Sequence, residues 1–150
     1  MTDTIRFHVT EHRWPARPGK LFLEVMPVLN GVSLNDLLKP VELPFAEAEG
    51  HPDNAGSYDG LRGDAENRRG HYFDQPVESW FEDGDTVLLS CPGCGEWGCW
   101  PFTVYVVIVH DRVKWTNLRH GHRDWDYSAI GEWEFDRTEY ERALASLPSG

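Results

Sequence analysis

The sequence predicts an α+β fold: an antiparallel β-meander of about five or six strands, with a short helix and a C-terminal amphipathic helix packed on it. Three observations carry that expectation. The first is the run Phe102–Val109, in which five of the eight residues are Val or Ile. Eight residues is strand length, and β-branched side chains suit a pleated surface. Both alternating sets are apolar (Phe102, Val104, Val106, Ile108 against Tyr105, Val107, Val109), which reads as a central strand covered on both faces. The second observation is its flanks. His110 and Asp111 form a turn into a partner strand over 113–118, and Gly84-Asp85 opens another strand over 86–90. The third is the C-terminus. Asp136 and Glu139 form a capping box, Phe135 and Tyr140 a hydrophobic staple, and Tyr140, Ala143, Leu144 and Leu147 share one helix face before Pro148 ends it.

Earlier elements follow from local pattern. Ile5, Phe7 and Val9 alternate with Arg6, His8 and Thr10, as an edge strand does. A turn spans Trp14-Pro15 to Pro18-Gly19, and a second strand covers 21–29, with Pro27 pointing to an edge position. After Asn30-Gly31, Ser33 caps a short helix through Leu34, Leu37 and Leu38 that Pro40 should stop. Residues 44–75 carry Gly, Pro, Asp or Asn every few positions and read as a long loop, with one helical turn over 46–49. Residues 77–82, with Trp80 and Phe81 central, read as a short strand closed by Gly84.

Length bounds the answer to one domain: 150 residues bury an ordinary core. No apolar run reaches membrane-spanning length, and the N-terminus lacks the pattern of a secretion signal, so no membrane association is expected. Three cysteines, an odd number, argue against a secreted disulfide framework and for the cytoplasm. The net charge of −11 opposes nucleic-acid binding. The one basic group, Arg62 with Arg68 and Arg69, is interleaved with Asp64 and Glu66 and reads as a mixed-charge surface loop.

The segment richest in chemistry is CPGCGEWGC, between two strands. Cys91 and Cys94 have the spacing of a metal knuckle, in which two thiolates hold one ion while glycines turn backbone amides towards the sulfurs. Cys99 offers a third thiolate. Counting back from the turn at His110-Asp111 sets Pro101 opposite His120 and Cys99 opposite His122, so His122 is the expected fourth ligand and His120 its alternative. Zinc is the cofactor this set would take. Two other readings stay open: unmetallated structural thiols, and redox chemistry at Cys91 and Cys94. The glycines and Pro101 that follow rule out the helix opened by a thioredoxin-type pair.

Further polar groups are candidates of lower specificity. His51 and His71 lie near Asp53, Asp59, Asp64 and Asp74, with no spacing that forces them together. His8 and His12 read as surface residues on the first strand. His122, Asp124, Asp126 and Tyr127 supply the residue types of a polar pocket or of a hydrogen-bond network pinning a loop.

The segments EGHPDNAGSYDGL, LLSCPGCGEWGCWP and WDYSAIGEWEFDRTEYERALASL, preceded by LNGVSLNDLL, resemble a family of small uncharacterised bacterial proteins, mainly actinobacterial. Its marks are a C-x(1,2)-C-G-x-x-G-C loop and a C-terminal FDR-x-x-Y-x-x-A-L helix, and the resemblance covers the chain from Leu29 onward. It implies no activity. From the residues themselves three function classes stand. The first is a non-enzymatic interaction or regulatory domain with a cysteine-rich loop and a protein partner. The second is a metal-dependent hydrolase using the His/Asp-rich segments. The third is a ligand-binding module lined by Trp97, Trp100, Trp115, Trp125 and Trp133.

Overall fold

The computed structural model describes residues 2–14, 17–63, 68–92 and 96–147. Its strands are β1 (Ile5–Trp14), β2 (Arg17–Leu29), β3 (Val32–Ser33), β4 (Asp59–Gly63), β5 (Asp85–Ser90), β6 (Phe102–Val109), β7 (Arg112–His120) and β8 (Trp133–Asp136). The helices are α1 (Leu34–Ala48), α2 (Arg68–His71) and α3 (Arg137–Ala145), with a 3₁₀ turn at Pro52–Asn54. The class is α+β, and the sheet has eight strands where the sequence pointed to fewer. It runs β1-β2-β4-β5-β6-β7-β8 with every pairing antiparallel, and β3 adds to β2. Ahead of β1, Asp3 makes a parallel bridge to Phe135 in β8, so the sheet curls back towards its own far edge.

The additional strands arise where local signals mislead. β4, DGLRG, has the composition of a turn, yet it joins β2 to β5. Gly60 is required there: a Cβ would sit 2.6 Å from the carbonyl oxygen of Val25, so only glycine admits so close a neighbouring backbone. β8 lies in what read as polar loop, with Trp133 and Phe135 facing the core. The expected strand over 77–82 is absent. That segment bends around the buried carboxylate of Asp85, which accepts from the amides of Trp80 (2.9 Å) and Phe81 (3.1 Å) and from the Ser79 hydroxyl.

Helix α1 does not stop at Pro40. Ser33 caps it, its Oγ accepting from the Asp36 amide at 3.3 Å. The helix then passes through both Pro40 and Pro44, because its buried stripe (Leu34, Leu38, Glu42, Ala46) recurs every four residues and packs on the core. Both prolines are exposed, on the side of the helix away from that stripe. The expected helical turn over 46–49 is the end of this helix.

The β6–β7 hairpin turns at His110-Asp111 as expected, with Val109 opposite Arg112. A bulge then moves the register by one: Tyr105 faces Thr116, whereas Phe102 faces His120. Asn117 sits at this step with φ of 52°, a left-handed conformation that asparagine tolerates better than most residues. Pro101 therefore lies opposite Gly121, whose amide donates to its carbonyl at 2.8 Å, and not opposite His120. The outer face of β6 is also less covered than its composition suggests, with Val107 37% and Val109 41% exposed.

The C-terminal reading holds. Asp136 caps α3 by accepting from the Glu139 amide at 3.0 Å, and the rings of Phe135 and Tyr140 lie 5.5 Å apart. Buried Tyr140 accepts from Trp115 Nε1 (3.1 Å) and donates to the carbonyl of Tyr72 (2.6 Å), which ties α3 to β7 and to the end of α2. Pro15, the acidic residues Asp64 and Glu66, and Pro148 fall outside the described residues; β2 begins at Arg17, inside the stretch expected as a turn to Pro18-Gly19.

A candidate recognition cleft beside the cysteine loop

The loop after β5 is closed by its own backbone. The amides of Cys91 and Cys99 both donate to the carbonyl of Glu96, at 3.3 and 3.1 Å, so the two ends of the loop meet at one oxygen. Cys91 is half-buried, and Cys99 is exposed with a free thiol. Cys94 lies outside the described residues. Among the described residues no three His, Cys, Asp or Glu side chains converge as a metal site.

His122 is joined to this loop and His120 lies behind it. His122 Nε2 donates to the carbonyl of Gly98 at 2.8 Å, and its ring packs 4.7 Å from Trp80. A carbonyl only accepts, so Nε2 of His122 carries a proton, and Nδ1 has no partner among the described residues. Donation of one ring N–H to a backbone carbonyl is how metal-ligating histidines are commonly oriented. His120 has the opposite arrangement: its Nδ1 accepts from the His122 amide at 2.9 Å, which places its proton on Nε2. The chain turns at Gly121 directly after β7, so the two rings are 6.2 Å apart, one exposed and one buried. Only 2% of His120 is exposed. Burial first, then the neighbouring His122 and Arg123, push its pKa down to about 3, against the opposing pull of Glu49.

Gly121 makes this corner possible. A Cβ there would meet Pro101 Cγ at 2.4 Å and the Trp80 indole at 2.9 Å, and Trp80 Nε1 donates to the Gly121 carbonyl at 3.0 Å. Around the corner opens a cleft of about 480 Å³ lined by Phe81, Arg119, His120, His122, Arg123 and Trp125, with Gly121 and Asp124. Arg119 stacks over Phe81 (3.7 Å) and pairs with Asp83 (3.0 Å). Arg123 lies 5.0 Å from the Trp100 ring and pairs with Glu49 at 2.8 Å. Trp125 Nε1 also donates to Glu49 at 2.7 Å, and these two donors hold the Glu49 carboxyl below its usual range.

The remaining sequence candidates are dispersed. Of the set His122, Asp124, Asp126 and Tyr127, only His122 and Asp124 border the cleft. Asp126 caps the Ser128 amide (2.8 Å), and the Tyr127 hydroxyl points into the core. His71 is buried: Nε2 donates to the carbonyl of Val87 (2.7 Å) and Nδ1 accepts from the Val77 amide (3.1 Å), pinning the segment before β5. His12 pairs with Glu24 (2.9 Å) and stacks on Phe22. Arg62 pairs with Asp59, and Arg69 donates to the carbonyls of Ala145 and Leu147, so these two arginines brace their own surroundings.

The polar centre that sequence reasoning missed is Glu42. Fully buried on α1, it accepts from the Tyr58 and Tyr127 hydroxyls and from the Gly56 amide (2.8 Å). Burial outweighs these donors and raises its pKa. Its one sequence signal is its place on the stripe of Leu34, Leu38 and Ala46, which marks it as buried without naming its partners.

Compared with family models, with curated proteins and with solved structures, the chain finds no match in any of the three.

Proposed function

We propose that this chain is a non-enzymatic interaction domain whose contact surface is the cysteine-loop end of the sheet. One observation carries the reading: Trp80, Trp97, Trp100 and Trp125 gather there with Arg119 and Arg123, around a cleft. Tryptophan and arginine are the residue types that dominate binding energy at protein interfaces. Several side chains nearby hold backbone in place. His122 holds Gly98, Asp85 holds Trp80 and Phe81, and Trp80 in turn holds Gly121. Such a surface is preorganised, which lowers the entropy cost of binding.

In this reading zinc braces the loop, held by Cys91, Cys94, Cys99 and Nδ1 of His122. The His122 proton on Nε2 supports that choice over His120, whose Nδ1 is already engaged. Bound there, zinc would supply folding energy to a glycine-rich segment with little apolar surface of its own. The test is a photoreactive amino acid placed in living cells at exposed Glu96, on the loop, or at exposed Val109, at the opposite end of β6. A discrete cross-linked partner from position 96 and none from 109 is expected. Equal capture at both positions, or none at 96, would refute the reading.

A further inference from the structure

Three buried N–H donors without an acceptor among the described residues gather at this cleft: Nε1 of Trp100, Nε2 of His120 and Nε of Arg119. A buried donor left unsatisfied carries a desolvation penalty, so a cluster of them around one opening asks for an explanation. His120 and Arg119 line the cleft itself, and the Trp100 ring stands edge-on to His120 with centroids 4.1 Å apart. The hydrogen bond that His120 Nδ1 accepts from the His122 amide fixes the other ring nitrogen as a donor. Two neutral rings, each with an unpartnered N–H, thus pack edge to face at the cleft, with the Arg119 guanidinium at the same opening.

We infer that the cleft binds a carboxylate group, held by His120 Nε2–H and Trp100 Nε1–H with Arg119 at its side. This deepens the recognition reading above and rests on it. The character of the walls narrows the class. The guanidinium groups at the mouth already pair with Asp83 and Glu49, and the carboxylate of Asp124 stands at the rim. The chain as a whole carries −11. A dianion such as phosphate is disfavoured in that field, whereas a planar monoanion suits two neutral donors. Such a carboxylate comes either from a small organic acid or from an acidic residue of a peptide.

The experiment titrates the purified full chain with sodium benzoate, with acetyl-Gly-Glu-amide and with sodium phosphate, following indole N–H resonances by NMR. The Trp100 signal is identified by its loss in Trp100→Phe. A saturable downfield shift of that signal with benzoate or with the peptide is expected, and which of the two acts identifies the source. Affinity should fall roughly tenfold in His120→Phe and in Trp100→Phe, each of which keeps an aromatic ring and loses one donor to a charged group. Should His120→Phe fail to fold, Trp100→Phe carries the comparison, read by calorimetry. No saturation with either carboxylate, equal affinity in the variants, or tighter binding of phosphate would each overturn the inference. The titration uses no partner protein, so its failure leaves the cross-linking result at Glu96 standing, and the two readings fail separately.

Discussion

Glu42 occupies a helix position where the stripe of Leu34, Leu38 and Ala46 would lead one to expect an apolar side chain. Three donors gather on its carboxylate, from residues 14, 16 and 85 positions along the chain, and burial still raises its pKa from 4.5. The sign of the consequence follows by linkage. The unfolded carboxyl ionises near 4.5 and the folded one at higher pH, so the stability Glu42 provides in its neutral form is complete below 4.5. It is lost as pH rises through the folded value. The melting temperature of wild type should therefore decline relative to Glu42→Gln between pH 4.5 and neutrality. Parallel curves for the two proteins would contradict this. The burial of residue 42 follows from its four-residue spacing only once α1 runs past Pro40, where the sequence pointed to its end. The tyrosine partners of Glu42 were not legible, because one of them arrives from a loop after β7 whose path no local pattern sets. The same limit applied to His120 and His122: sequence alternation placed both at the cysteine end, but it could not tell which nitrogen each would leave free.

Elements were legible wherever their chemistry is local. The cap at Asp136 was, and replacing it should cost about 1 kcal/mol in urea unfolding of Asp136→Ala. The prolines of α1 were misread because propensity was given more weight than burial. Removing one tests that account: Pro40→Ala restores a donor for the Asp36 carbonyl on an exposed face, and the helix should gain about 1 kcal/mol or more after allowing for the more flexible unfolded chain. An unchanged or lower midpoint in urea would show that the proline is accommodated without strain. β4 was hidden by glycine, whose role there is to let two backbones approach. The Asn117 bulge was likewise invisible, since one asparagine in a strand does not announce a register step, and it displaced the predicted cross-strand pairs by one. Gly121 is the element-scale hinge of the site. Gly121→Ala forces its new methyl into Pro101 and Trp80 and should destabilise the protein by about 1–3 kcal/mol, with the Trp80 indole resonance moving as its bond to the Gly121 carbonyl breaks. A wild-type melting curve for that variant would show the corner to be loose.

At the scale of the whole molecule, the curled sheet separates two jobs. One end, around Trp115, Phe135 and Tyr140, is an apolar core closed by α3 and by the bridge from Asp3 to β8. The other collects polar side chains that fix loops and leave an aromatic, arginine-rimmed cleft between them. The class of the fold was legible from one apolar strand and one capped helix. The closure of the sheet was not, since it depends on a bridge between residues 3 and 135 that no short-range pattern encodes. In the reading proposed above, the cysteine loop is a rigid brace for the recognition end. It is tested most directly by metal content and thiol titration on protein purified without added metal or a histidine tag. The account predicts about one zinc per chain and cysteines protected from thiol reagents until the protein unfolds, both lost in Cys94→Ser. A metal-free protein whose three cysteines all react at once in the native state would contradict it.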